Sequence, residues 1–101
     1  MKKEYIKIKD YAGIFAENKD KAKELRISKI TPALSNRKML VLDFDGVSGA
    51  TQSFVHALIS EPIRQFQNLA LDNLEYKNCS EIVKEIIKTV YDYMQESLDD
   101  K

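Results

Sequence analysis

The residues able to do chemistry in this chain crowd into one stretch, Leu40 to Phe54. Asp43 and Asp45 stand two apart where an apolar run ends. Gly46 and Gly49 follow, interleaved with the hydroxyls of Ser48, Thr51 and Ser53, and an apolar-periodic segment then begins. This order reads as a buried strand, a tight loop and a helix start. In open α/β sheets, sites collect at that place, outside the carboxyl ends of the strands. A carboxylate there can serve as a nucleophile or carry a proton beside a divalent cation. A helix N-terminus there favours an anion such as a phosphate group.

The other candidate chemistry is thin. His56, the only histidine, lies three residues after Ser53 on the same helical stripe. A serine nucleophile with a histidine base needs a third group to orient the base, and this spacing supplies none. His56 is therefore expected as a surface or interface residue. One histidine and one cysteine, Cys79, give no metal-ligand spacing, so neither a metal nor another cofactor is expected. The single cysteine also rules out an internal disulfide and fits a reducing, cytoplasmic compartment.

The elements that must position this stretch follow from periodicity. Glu4–Asp10 alternates apolar and charged residues as a half-buried strand does, and its lysines suit a sheet edge. Asn18 is placed to cap a helix opening at Lys19. Ala22, Leu25, Ile30, Ala33 and Leu34 give that helix a partial stripe, with Ile27 off it. Pro32 either ends the helix near Lys29 or bends it at Thr31 before one more turn to Ser35. If it ends early, a further strand fits Arg26–Ile30. Lys38–Asp43 is apolar on both faces, the mark of a central strand covered by helices on each side. From Ser53 a helix runs with Phe54, Val55, Leu58, Ile59, Ile63 and Phe66 on its apolar face, kinked at Pro62 or restarted there with Ser60 as the cap. Leu69–Leu71 reads as a third strand ending in Asp72-Asn73. Ser80 caps a last helix whose stripe is Ile82, Val83, Ile86, Ile87, Val90, Tyr91, Met94 and Leu98.

The resulting order, strand–helix–strand–helix–strand–helix, predicts an α/β fold: a small, mostly parallel sheet of three to four strands with about three helices. At 101 residues, 44% hydrophobic and with five Gly plus Pro, residues 1–101 are expected to form a single packed domain. The lysines of Met1–Asp10 flank no continuous apolar run, so no signal peptide is expected, and no run approaches the length of a membrane span. Net charge is zero but divided, +6 over residues 1–38 and −6 over residues 39–101. A solvated lysine face on the first helix accounts for this, with a basic surface for an acidic partner as the alternative, and nucleic-acid binding is not expected without an arginine-rich, aromatic-interleaved stripe.

Two families resemble this chain. Asp43-Phe44-Asp45-Gly46-Val47 is similar to the first motif of the haloacid-dehalogenase superfamily. That resemblance implies a Mg²⁺-dependent phosphatase with Asp43 as nucleophile and Asp45 as acid. The later motifs of that family are missing from this chain.

A longer resemblance, over roughly residues 18–90, is to the STAS-like domains, small bacterial domains of unknown function. It is carried by Val41-Leu42-Asp43-Phe44, Gly46-Val47, Thr51-Gln52-Ser53-Phe54, the helix through Leu58-Ile59, a strand ending in Asn73, and the helix at Ile82–Ile87. It implies a fold similar to the STAS domains of anti-sigma-factor antagonists, non-catalytic modules that dock an ATPase of the histidine-kinase-like fold. Their phosphorylated serine falls on Ser53. Thr51 and Phe54 stand where those domains carry an acidic residue and a glycine. The resemblance implies a protein-binding surface built from Asp43, Asp45, Thr51, Ser53, Phe54, His56 and Asn73, with Ser53 as its switch. Pairing of the +6 and −6 regions between copies, as in an oligomeric scaffold, is the remaining alternative.

Overall fold

A computed structural model describes residues 3–99, with side chains over residues 3–95. Leu98, the last member of the final helix's stripe, lies outside the described side chains. Three parallel strands form the main sheet: β1 (Lys3–Lys7), β3 (Met39–Asp43) and β5 (Leu74–Lys77), in the spatial order β1-β3-β5. The expected lysine-bearing strand is indeed at the edge. It stops at Lys7, because Ile8 turns inward, fully buried, to open the short helix α1 (Ile8–Ala12).

A second, two-stranded parallel sheet pairs β2 (Phe15–Ala16) with β4 (Gly49–Ala50). It pins the catalytic-looking loop to the chain after Gly13, with Ser48 N–H donating to Ile14 O at 2.8 Å and Thr51 N–H to Ala16 O at 2.9 Å.

The first long helical segment resolves the Pro32 alternatives in favour of continuation. Helix α2 (Lys19–Leu25) is capped by Asn18, whose side chain accepts from the N–H groups of Asp20 and Lys21. It passes into a π-helical turn at Arg26–Ile30, not the alternative strand, and then into α3 (Thr31–Ser35). The wider turn sets Pro32 in the first turn of α3, where its missing N–H costs least. It also shifts the apolar phase by one residue, so that Leu25 before it, Ile30 at its end, and Ala33 and Leu34 after it are all buried.

Helix α4 (Gln52–Phe66) is continuous through Pro62, with no restart, and Ser60 is buried inside it rather than capping anything. The expected strand at Leu69–Leu71 is instead the short helix α5 (Asn68–Asn73), set off from α4 by Gln67 at φ +51°. Three apolar residues are too few to show a period. The strand begins one residue after Asn73. Helix α6 (Glu81–Asp99) follows, with Ser80 Oγ accepting from Val83 N–H.

One face of the main sheet builds the core. Ile6, Leu40, Leu42 and Leu74 point into a single cluster with Leu25, Leu34, Phe54, Leu58, Val83 and Val90. The expectation of helices on both faces of β3 is not met. Val41, fully buried, faces the other way. On that face Lys3 of β1 reaches Glu75 of β5 at 3.2 Å, and Lys77 of β5 sits 5.5 Å from the Tyr5 ring of β1. Their register places both pairs across β3, so lysine stems and a tyrosine replace a second helical layer over Val41.

Candidate functional site

Strands β3 and β5 end side by side, and the loops that leave them form the first part of the site. Asp43 Oδ1 accepts the Asp45 backbone N–H at 2.9 Å and the Asn78 side-chain amide at 2.9 Å. The Asn78 amide foremost, then the Asp45 N–H, hold the Asp43 carboxyl below its ordinary value, with Lys7 and Lys77 adding to the effect against some desolvation. Phe44 N–H donates to Lys77 O, and Phe44 itself is buried. A tight turn closes from Phe44 to Val47, with Val47 N–H donating to Phe44 O at 2.9 Å. Gly46 holds φ +82° within it, a conformation other residues adopt only with strain. Asp45, Ser48, Asn78, Cys79 and Ser80 line a shallow concavity of about 480 Å³ at these strand ends. Burial pushes the Cys79 thiol up, which disfavours the reactive thiolate.

A second concavity, also about 480 Å³, opens at the leading end of α4 and is lined by Lys19, Gln52, Ser53, His56 and Ala57. The local sequence explains its shape. Thr51, not Ser53, is the cap of α4: its Oγ1 accepts the Phe54 N–H at 3.1 Å. Ser53 is thereby left exposed on the first turn. His56 follows one turn later, its ring edge-on to Tyr93 of α6 at 5.8 Å between centroids. Lys19 arrives from the first residue of α2, set there by the Asn18 cap, and Arg26 ties the two helices by donating to Ala57 O at 3.2 Å.

The expected site residues therefore divide. Asp45 lines the strand-end concavity, and Asp43 stands behind it, bonded to the Asp45 N–H and the Asn78 amide. Ser53 and His56 share the α4 concavity, with Thr51 beneath them as the cap. Two do not fit as expected. The Phe54 side chain is fully buried in the core and presents nothing to a partner. Asn73 ends α5 at the opposite end of the sheet, where its amide donates to Lys38 O at 3.3 Å. The asparagine that closes a strand beside Asp43 is Asn78. The alternation Leu74-Glu75-Tyr76-Lys77 just before it was the available signal. Lys19 carried no signal of its own, since only the packing of α2 on α4 brings it to Ser53.

Chemically, the strand-end group matches a carboxylate with an amide donor rather than with a second acid from β5. Among the described residues, no three of His, Cys, Asp and Glu gather as a metal site. No described helix is long and apolar enough to cross a membrane. Neither a search of curated proteins nor one of solved structures returns a match. The family comparison does. The model of the STAS-like domain of unknown function (DUF4325) matches residues 21–84, from the third residue of α2 through β3, β4, α4 and β5 into the first turn of α6. With its parallel α/β architecture, the chain belongs to this STAS-like family.

Proposed function

We propose that this domain is a non-catalytic regulatory module of the cytoplasm that docks a protein partner at the leading end of α4. The observation that carries this reading is the state of Ser53. Its hydroxyl is exposed, released from capping by Thr51, and set in an open concavity with Lys19 and His56. In the anti-sigma-factor antagonists that STAS-like domains resemble, the corresponding serine is the one phosphorylated by an ATPase of the histidine-kinase-like fold. Such an ATPase is the proposed partner, and Ser53 the proposed switch. A phosphate on Ser53 would add about −1.5 to −2 charges at neutral pH beside the first-turn amides of α4 and the Lys19 ammonium. Asp43, in this reading, organises the neighbouring loop. Its Oδ1 is already engaged by Asn78 and the Asp45 N–H, which supports a structural use over a nucleophilic one.

The test is to incubate the protein with a purified ATPase of that fold from the same genome and ATP, then map phosphate by mass spectrometry. Phosphate on Ser53, and binding lost in Ser53→Asp, are expected. An unmodified Ser53 with unchanged binding by Ser53→Asp removes the switch. Binding unchanged by Lys19→Glu and His56→Ala as well removes the docking site.

A further inference from the structure

Beside the stripe of α6 that fills the core runs a second one, of which Ile86 packs partly against that core. Val83, Ile87, Val90 and Met94 are buried against α4 and the sheet. Beside them Ile82, Ile86, Thr89 and Tyr93 recur at i, i+4, i+7 and i+11, forming a second stripe on the outward shoulder. Ile82 is 59% exposed and Tyr93 58% exposed. The stripe is extended at its start by Phe15, 49% exposed: a methyl built on Gly49 would lie 3.0 Å from the Phe15 ring and 4.0 Å from Ile82. It ends at Tyr93 on His56. The outer border of the stripe is a row of exposed acids, Glu81, Glu85 and Asp92. Glu81 meets Lys84 at 4.0 Å, and no ion pair involves Glu85 or Asp92 among the described residues.

We infer that this shoulder of α6 docks a basic amphipathic helix of a protein partner. The stripe is straight and its ends stand eleven residues apart, about 16 Å, the length of three helical turns. Its acidic border calls for lysines or arginines flanking the partner's apolar side. A second copy of this chain is the poorer occupant, because in an antiparallel pair of α6 helices the acidic rows fall opposite one another. The inference goes beyond the Ser53 reading and does not depend on it.

The experiment titrates the full chain with a designed helical peptide of about 18 residues, leucines along one stripe and lysines beside it. A twin peptide carries glutamates in place of the lysines. Amide chemical shifts should move on Ile82, Ile86 and Tyr93 with the lysine peptide, and the glutamate twin should not bind. Ile82→Asp should weaken the lysine peptide by about tenfold or more, as expected for a central apolar anchor. The pair Glu85→Lys with Asp92→Lys should do so too, both variants keeping the native circular-dichroism melt. Ile27→Asp, the same change on an isolated exposed isoleucine, should leave affinity unaltered. Shifts confined to another face, equal affinity for the twins, or no binding of either peptide overturns the inference. Self-association lost in Ile82→Asp overturns it in favour of a second copy. Because no ATPase or phosphate enters this experiment, its failure leaves the Ser53 reading standing, and the reverse.

Discussion

The Asn78 amide donates to Asp43 Oδ1 at 2.9 Å across the carboxyl ends of β5 and β3. This one bond joins the two loops that leave the sheet, and it stabilises the ionised form of the carboxylate. Asp43 is thus held below its ordinary value in the folded chain. Its contribution to stability is complete above the unfolded carboxylate value, about 3.9, and is lost as pH falls through the lower folded value. Asn78→Ala should raise the Asp43 titration seen by carboxyl-carbon NMR and flatten the acid limb of the melting curve. An Asp43 titration unmoved in Asn78→Ala would contradict the assignment.

The two hydroxyls at the start of α4 should separate cleanly. Thr51→Ala removes the cap and is expected to cost about 1 kcal/mol. Ser53→Ala touches only solvent-facing oxygen and should stay within about 0.5 kcal/mol of the parent. Urea melts of the two variants decide the matter. Equal losses would return the capping role to Ser53 and weaken its case as a free switch.

Tyr76 and Tyr91 share a 2.8 Å hydrogen bond between their hydroxyls, with rings edge to face at 5.8 Å. Burial raises both phenols, Tyr76 well above its ordinary value. A proton held more tightly in the folded chain gives stability that is intact below the unfolded value, about 10, and lost as pH rises toward the folded one. Of the five tyrosines, these two should ionise late, together with alkaline unfolding, in an ultraviolet titration. Tyr91→Phe should cost about 1 kcal/mol, the value of one ordinary hydrogen bond.

Gly46 should resist substitution for a backbone reason. Its φ of +82° is strained for any side chain, while the atom nearest an added methyl, at 2.7 Å, is the flexible Lys9 Cδ. Gly46→Ala is expected to cost about 1–2 kcal/mol, and Lys9→Ala in the same chain should recover little of it. Full recovery would make the lysine contact, not the turn, the cause.

How much of this was legible in the residues depends on the length of each pattern. The strands β1 and β3, the helices α2, α4 and α6, and the parallel α/β class follow from patterns that run for several residues, longest in α4 and α6. Failures gather where a period is short or interrupted. The stripe Ala22, Leu25, Ile30, Ala33 looked partial because the π-helical turn inserts one residue into its phase. The third strand is read at Leu69–Leu71 instead of Leu74–Lys77 because three apolar residues carry no period and four alternating ones look polar. The β2–β4 pair, two residues each, has no sequence signature at all. For the site, Ser53 and the aspartates announced themselves by type. Asn78 and Lys19 did not, since their importance comes from which elements end beside them.

The cover over Val41 has a consequence for anyone who treats lysines as inert handles. Lys3 and Lys77 count as surface residues by exposure, yet their stems and charges roof an interior valine. Acetylating them would cancel the attraction of Lys3 to Glu75 and of Lys77 to the Tyr5 ring. Amine-directed labels, immobilisation chemistry or enzymatic acylation would therefore act on the hidden side of the sheet while touching only its outermost atoms.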